Sequence, residues 1–203
     1  MFAIRGLERK YYERFAMVRE YAFLFPILFR WRRRVWRAII EEIPRDAGSI
    51  VEIGCGVGSF SRYIKRRFRD KIVYGIDSSQ AAIDKANKRY PGQDIIFMRE
   101  DFFNLHEKFD CVVSVHVFIL FEVDQFLEQL KRVLNPGGTA ILSFTLPTLF
   151  TKLHRLFYRV VVGDDIIFKD PEFLLQKAAD HGFSSYLKKI DWTEGSFLVK
   201  LKI

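Results

Sequence analysis

The chain has 203 residues, 49% of them hydrophobic, with a net charge of +8 and two cysteines. That suits one globular domain with a full core and an appendage, and two cysteines exclude both a disulfide framework and a cysteine metal cluster. The apolar run nearest the start, AFLFPILF at 22–29, is broken by Pro26 and closed by Arg30, far short of the roughly 20 residues that span a bilayer.

No secretory signal is expected, because MFAIRGLERKYYERF is charged from its first turns. Cys55 and Cys111 lie in apolar, strand-like stretches, which points to buried thiols and a cytoplasmic location. The charge is uneven. Residues 1–45 hold eleven Lys/Arg and five Glu, a net +6, whereas the other 158 residues net +2. Such a basic segment can meet phosphates of nucleic acid or of lipid headgroups, or form a solvated helix face.

In chain order, Leu7, Tyr11, Phe15, Val18, Ala22 and Phe25 recur at helical steps and predict a first helix over 7–25. Pro26 can open a second, with Leu28, Trp31, Val35, Ile39 and Ile43 on its buried face and Arg30, Arg33, Arg34 and Arg37 on another. Residues 1–45 thus read as a helical extension that caps a domain over 46–203.

From 49 the texture becomes strand and helix in alternation. SIVEI (49–53) predicts a first strand, SFSRYIKRRF (59–68) a helix, KIVYGI (71–76) a second strand, and Ser78 or Ser79 caps a helix to Arg89. IIFMR (95–99) and FDCVVSV (109–115) predict strands three and four, VDQFLEQLKRVL (123–134) a helix, NPGG (135–138) a turn, and TAILSF (139–144) strand five. Residues 145–168 form an apolar and basic insertion. Asp170-Pro171 then starts a helix that stops at Gly182, and FSSYLKKI and SFLVKLKI pair around a turn at Gly195. Short βα units argue for a largely parallel sheet with helices on both faces.

The chemistry is concentrated in VEIGCGVGSF, residues 51–60. Its glycines, Gly54, Gly56 and Gly58, make G-x-G-x-G, and Ser59 stands where a dinucleotide site would place its last glycine. Glu52 precedes the first glycine by two residues. A carboxylate there opposes a pyrophosphate and suits a ligand with positive charge. Asp77 ends the second strand 23 residues past Gly54, a spacing at which an acid can grip both ribose hydroxyls. Asp101 follows the third strand, where it can accept from an adenine amino group, and Phe102 can pack on the ring. No G-x-x-x-x-G-K-[ST] phosphate loop occurs.

E-x-G-x-G-x-G after the first strand, an acid ending the second, an acid after the third and R-V-L-N-P-G-G before the fifth together resemble the class I S-adenosylmethionine-dependent methyltransferases. The likeness covers roughly 46–203. It implies a Rossmann-like seven-stranded α/β sheet in the order 3-2-1-4-5-7-6 with strand 7 antiparallel, and S-adenosylmethionine as cofactor. It implies that Glu52 and the backbone of Gly54, Cys55, Gly56 and Gly58 hold the methionine end. Asp77, with Ser78 beside it, would take the ribose, and Asp101 with Phe102 the adenine. Ser114, Val115 and His116, ending strand four, would border the reactive methyl.

Methyl transfer is an in-line displacement with a neutral thioether leaving group, so positioning and desolvation dominate. An oxygen or acidic carbon acceptor also needs a base, and His116 is the candidate. Phe118-Ile119-Leu120-Phe121 is apolar where small-molecule members of the family often carry a histidine. His154, near Tyr158 in the insertion, is a second histidine that can face substrate, and Tyr11 or Tyr12 can close over the cofactor. No metal is expected.

Aromatic residues interleaved with arginine in the extension and the insertion suit a small hydrophobic or amphiphilic acceptor, with peripheral membrane contact through the basic helices. The alternatives are an RNA or other nucleic-acid methyltransferase using those helices, and a non-catalytic binder of the cofactor. Strand four ends in SVHVFI, and neither a D/N-P-P-Y/F nor a Pro-Cys motif is present. The sequence does not specify an oligomeric state.

Overall fold

The computed structural model describes residues 26–118, 121–146, 152, 156, 170–191 and 195–203. The helix expected over 7–25, Tyr11 and Tyr12, and His154 and Tyr158 of the insertion lie outside them.

The elements run α1 (Pro26–Glu42), β1 (Ser49–Ile53), α2 (Ser59–Arg67), β2 (Ile72–Asp77), α3 (Gln80–Arg89) and β3 (Ile95–Arg99). A single 3-10 turn (Phe102–Asn104) follows, then β4 (Phe109–Val115), α4 (Val123–Val133), β5 (Leu134–Thr145), α5 (Pro171–Asp180), β6 (Ser184–Asp191) and β7 (Ser196–Lys202). The strands form one sheet in the order β3-β2-β1-β4-β5-β7-β6. β1 to β5 pair in parallel, and β7 runs antiparallel to both β5 and β6. This is the sheet that the resemblance implies.

Each central strand is apolar on both faces because each face is covered. One face carries a core of Val51, Ile53, Val112, Phe126, Leu130, Leu142 and Leu174 beneath α4 and α5. The other carries Ile39, Ile50, Phe60, Ile64, Cys111, Val113 and Ile141 beneath α1 and α2. The stripe expected of α1 is buried at Val35, Ile39 and Ile43. Caps sit where the sequence suggests. The Ser79 side chain accepts from the Ala82 N–H, and Asp170 accepts from Glu172 N–H ahead of Pro171.

One boundary differs. NPGG is not a turn ahead of β5 but a bulge within it: Phe109 pairs with Leu134 and Cys111 with Thr139, so 135–138 loop out opposite Asp110. Gly137 supplies the positive φ of 76°. Asp110 binds the bulge from β4, accepting from Asn135 Nδ2 at 2.7 Å and from the Gly48 and Ser49 N–H groups at 2.9 Å each. The Asn135 bond, with those from Ser49 and Gly48, holds this carboxyl below its ordinary range despite partial burial. Turn residues reveal a reversal but not whether the ladder resumes beyond it.

Candidate active site

A parallel sheet brings the carboxyl ends of its strands to one edge, and β2, β1 and β4 are neighbours there. The glycine loop leaves β1 at this edge with φ of 68°, 53° and 73° at Gly54, Gly56 and Gly58, a backbone that other residues adopt only with strain. Its neighbours also require glycine. A Cβ on Gly54 would lie 2.5 Å from Val117, and one on Gly58 would overlap the Phe97 ring, whereas one on Gly56 would meet nothing within 4 Å among the described residues. The loop is packed from below at both ends and open above its middle.

Asp77 ties the loop to β2. Its Oδ2 accepts from the Gly56 N–H at 2.8 Å and its Oδ1 from the Ser79 N–H at 2.9 Å, with the side chain buried. Cys55 N–H adds a bond to the Ile76 carbonyl at 2.9 Å. The Cys55 thiol is buried and donates weakly to the Gly56 carbonyl; burial, reinforced by Glu52 and Asp77, pushes it far above the ordinary range. Cys55 therefore offers the site its backbone and not a nucleophile.

Glu52 is not in the mouth of the site. It is buried on the α2 side of the sheet, where the Ser61 hydroxyl donates to its Oε2. Burial pushes this carboxyl up to about 8, against the pull of Ser61. Strand parity explains the placement: Glu52 points with Ile50 to the helix face. Gly75 leaves the room, since a Cβ there would sit 2.8 Å from Ser61 Oγ.

Asp101 is exposed after β3 and caps the 3-10 turn by accepting from the Phe103 N–H at 3.0 Å. The Phe102 ring, expected against an adenine, is turned into the core instead. It is buried 4.8 Å from the Phe126 ring, because the turn sends alternate phenylalanines inward and outward. Phe102 keeps only its backbone N–H for a ligand, and Phe103 is the exposed ring beside Asp101. Ser78 is exposed, and its carbonyl accepts from Arg99 Nε at 3.3 Å.

At the end of β4, Ser114 is fully buried and its hydroxyl makes no hydrogen bond. Val115 is half-buried. His116 is half-buried in the left-handed region at φ 58°, and its N–H donates to both the carbonyl (3.3 Å) and the hydroxyl (3.2 Å) of Ser143. Strain of this kind concentrates at functional sites. Phe118 is buried and Phe121 half-buried, and each packs on Phe126.

Two supporting residues escaped the sequence reading. Ser143, at the end of β5, fixes the His116 backbone. Gln129, buried on α4, donates to the Phe102 and Leu105 carbonyls at 2.9 and 2.8 Å and holds the turn that carries Asp101. A glutamine on an otherwise apolar helix stripe is the signal that marks it. His106 is exposed and His181 ends α5, both away from this edge.

The sheet order, the glycine loop and its acid at β2 are those of a class I S-adenosylmethionine-dependent methyltransferase domain. Residues 51–142 match the family model described as "Methyltransferase domain". The chain is 28% identical over 117 residues to a fatty-acid O-methyltransferase of Mycolicibacterium smegmatis, covering 55% of this chain and 42% of that one. It is 37% identical over 97 residues to a phthiotriol/phenolphthiotriol dimycocerosates methyltransferase of Mycobacterium tuberculosis, covering 44% and 34%. The chain thus spans less than half the length of these curated relatives. An S-adenosylmethionine-dependent methyltransferase structure from Thermotoga maritima shares the fold at a TM-score of 0.75 and 17% identity, over 97% of this chain and 99% of that one.

Proposed function

We propose that this chain transfers the methyl group of S-adenosylmethionine to a small hydrophobic or amphiphilic acceptor. The observation that carries the reading is the Asp77-to-Gly56 bond beneath open space: a fixed glycine backbone, an acid at its side and room above. This donor set fits a nucleoside bearing a sulfonium, and Ser59 stands where a dinucleotide site would place its last glycine. The cofactor, when bound, supplies an electrophilic methyl group.

The chain's own residues then divide the work. Each Asp77 oxygen accepts one backbone N–H in the bonds above, and a carboxylate oxygen that can accept more than one hydrogen bond suits a ribose hydroxyl. Asp101 and the Phe102 N–H suit an adenine edge. The backbone of Gly54 to Gly58 receives the methionine end, tied to β2 by Asp77 and by the Cys55 N–H bond to Ile76. His116, at the tip of β4, is the base for an acceptor that must lose a proton. Relatives named for fatty acids and for phthiotriol and phenolphthiotriol dimycocerosates support an apolar acceptor for this chain as well.

Calorimetric titration with S-adenosylmethionine, beside NAD, tests the cofactor. Micromolar binding of the first alone is expected; NAD binding in its place would overturn the reading. The acceptor test compares fatty acids, phenolic lipids and RNA as methyl acceptors. A carboxylate is already ionised at pH 7 whereas a phenol is not. His116→Ala should therefore slow methylation of a phenol at least 100-fold while sparing a fatty acid and cofactor affinity. Equal loss on both acceptors would remove His116 from proton transfer, and methylation of RNA alone would replace the acceptor class.

A further inference from the structure

The basic charge of this chain is not confined to its first 45 residues. Residues 26–40 hold five arginines and no acid, and residues 59–69 hold five Lys/Arg and no acid. Together they carry +10 against +8 for the whole chain, so everything else nets −2. The fold puts these two segments side by side. Trp36 of α1 packs on Phe60 (5.3 Å) and Tyr63 (5.6 Å) of α2. Phe60 lies two residues past Gly58, so the contact stands at the glycine-loop edge of the sheet, beside the mouth of the site.

Along this face guanidiniums lie over aromatic rings, of which Tyr63 is exposed, Trp36 half-buried, and Phe60 and Tyr90 buried. Arg32 lies over Trp36 at 4.9 Å, and Arg62 and Arg89 lie over Tyr90 at 5.1 and 5.6 Å. Arg62 Nε is buried without a hydrogen bond, and neither Arg62 nor Arg89 forms an ion pair among the described residues. Arg33, Arg34, Arg37, Arg66, Arg67 and Tyr63 are exposed. Burial, with Arg89 and Arg33 nearby, holds Arg32 below its ordinary value, as expected where cations crowd together.

We infer that the α1–α2 face, extended by Arg89 of α3, docks the protein on an anionic lipid surface, with the glycine-loop end of α2 at its margin. Tyrosine and tryptophan with arginine stems are the side chains that settle at a headgroup layer, where apolar bodies and charged heads are both satisfied. Among the described residues no helix is long and apolar enough to cross a membrane. The position beside the site favours lipid over nucleic acid, because an apolar acceptor then reaches the loop without crossing water. That last step rests on the proposed acceptor class; the docking itself does not.

The test is sedimentation of the full chain with vesicles of phosphatidylcholine alone or with about one third phosphatidylglycerol, in low and in physiological salt. Binding to the anionic vesicles only, weakened by salt, is expected. Each basic residue near such a surface is worth about fivefold, so Arg37→Gln/Arg66→Gln/Arg67→Gln should bind about 100-fold more weakly, with cofactor titration unchanged. Equal binding to neutral vesicles, or no loss in the triple variant, would overturn the inference. So would an RNA duplex that competes off the vesicles at equal phosphate concentration. The parallel cofactor titration separates failure of this surface from failure of the catalytic reading.

Discussion

At the scale of single residues, Asp77 carries two tasks at once. It is the acid proposed to hold the ribose, and it also satisfies the Gly56 and Ser79 N–H groups. Removing it costs more than a contact, because a buried donor left without an acceptor costs about 1–3 kcal/mol. Asp77→Ala should therefore lower unfolding free energy by about 2 kcal/mol and weaken S-adenosylmethionine by at least 100-fold, read by urea melts and calorimetry on one preparation. A variant with full stability would show that the bonds to Gly56 and Ser79 contribute little. A variant with full affinity would sink the assignment of this acid to the ligand.

At the scale of elements, the three glycines of the loop are not equivalent, although they look alike in the sequence. Gly56 needs only its backbone angle, which costs another residue about 1–2 kcal/mol. Gly58 needs its angle and the Phe97 ring beneath it, so overpacking adds about 1–3 kcal/mol. Gly56→Ala should stay folded and lose the cofactor, since the added methyl fills the open space; Gly58→Ala should lower the melting temperature further. A Gly56→Ala protein that binds normally would mean that the ligand does not approach the loop there. The same contrast explains what was legible beforehand. The strands β1 to β5 were, because each is a mostly apolar run between Gly, Pro and capping residues, with β1, β2, β4 and β5 largely buried and β3 at the edge. So was the set of positions at their carboxyl ends. Side-chain direction beyond a strand end was not: Phe102 and Phe103 differ by one step of a 3-10 turn, and Ser61 reaches Glu52 only because Gly75 makes room. The basic run RYIKRRF in α2 was read as a helix alone, since its partner α1 is adjacent in space and not in sequence.

At the scale of the whole molecule, carboxylates pull stability in opposite directions with pH. Glu42 joins α1 to the far side of the sheet, accepting from Lys188 Nζ at 3.0 Å and Lys200 Nζ at 3.4 Å. Burial raises its pKa, but the bonds and charges of the two lysines outweigh that and hold it below 4.5. Asp110, joining β1, β4 and β5, is also lowered. A depressed carboxyl stabilises the fold above its unfolded pKa, and that stability is lost as pH falls through the folded value. Glu52 works the other way. Its folded value of about 8 lies above the ordinary 4.5, so the native state holds a proton that the unfolded chain has released. Stability therefore falls as pH rises between those limits, by at most about 1.4 kcal/mol per pH unit. Unfolding free energy from urea melts should peak near pH 5 and decline toward 8. Glu52→Gln should flatten the alkaline limb and keep the acid limb, and Glu42→Gln should make the acid limb shallower and leave the alkaline one. An alkaline limb that survives in Glu52→Gln would assign the slope to another group, and would mean that Glu52 is already ionised behind the loop.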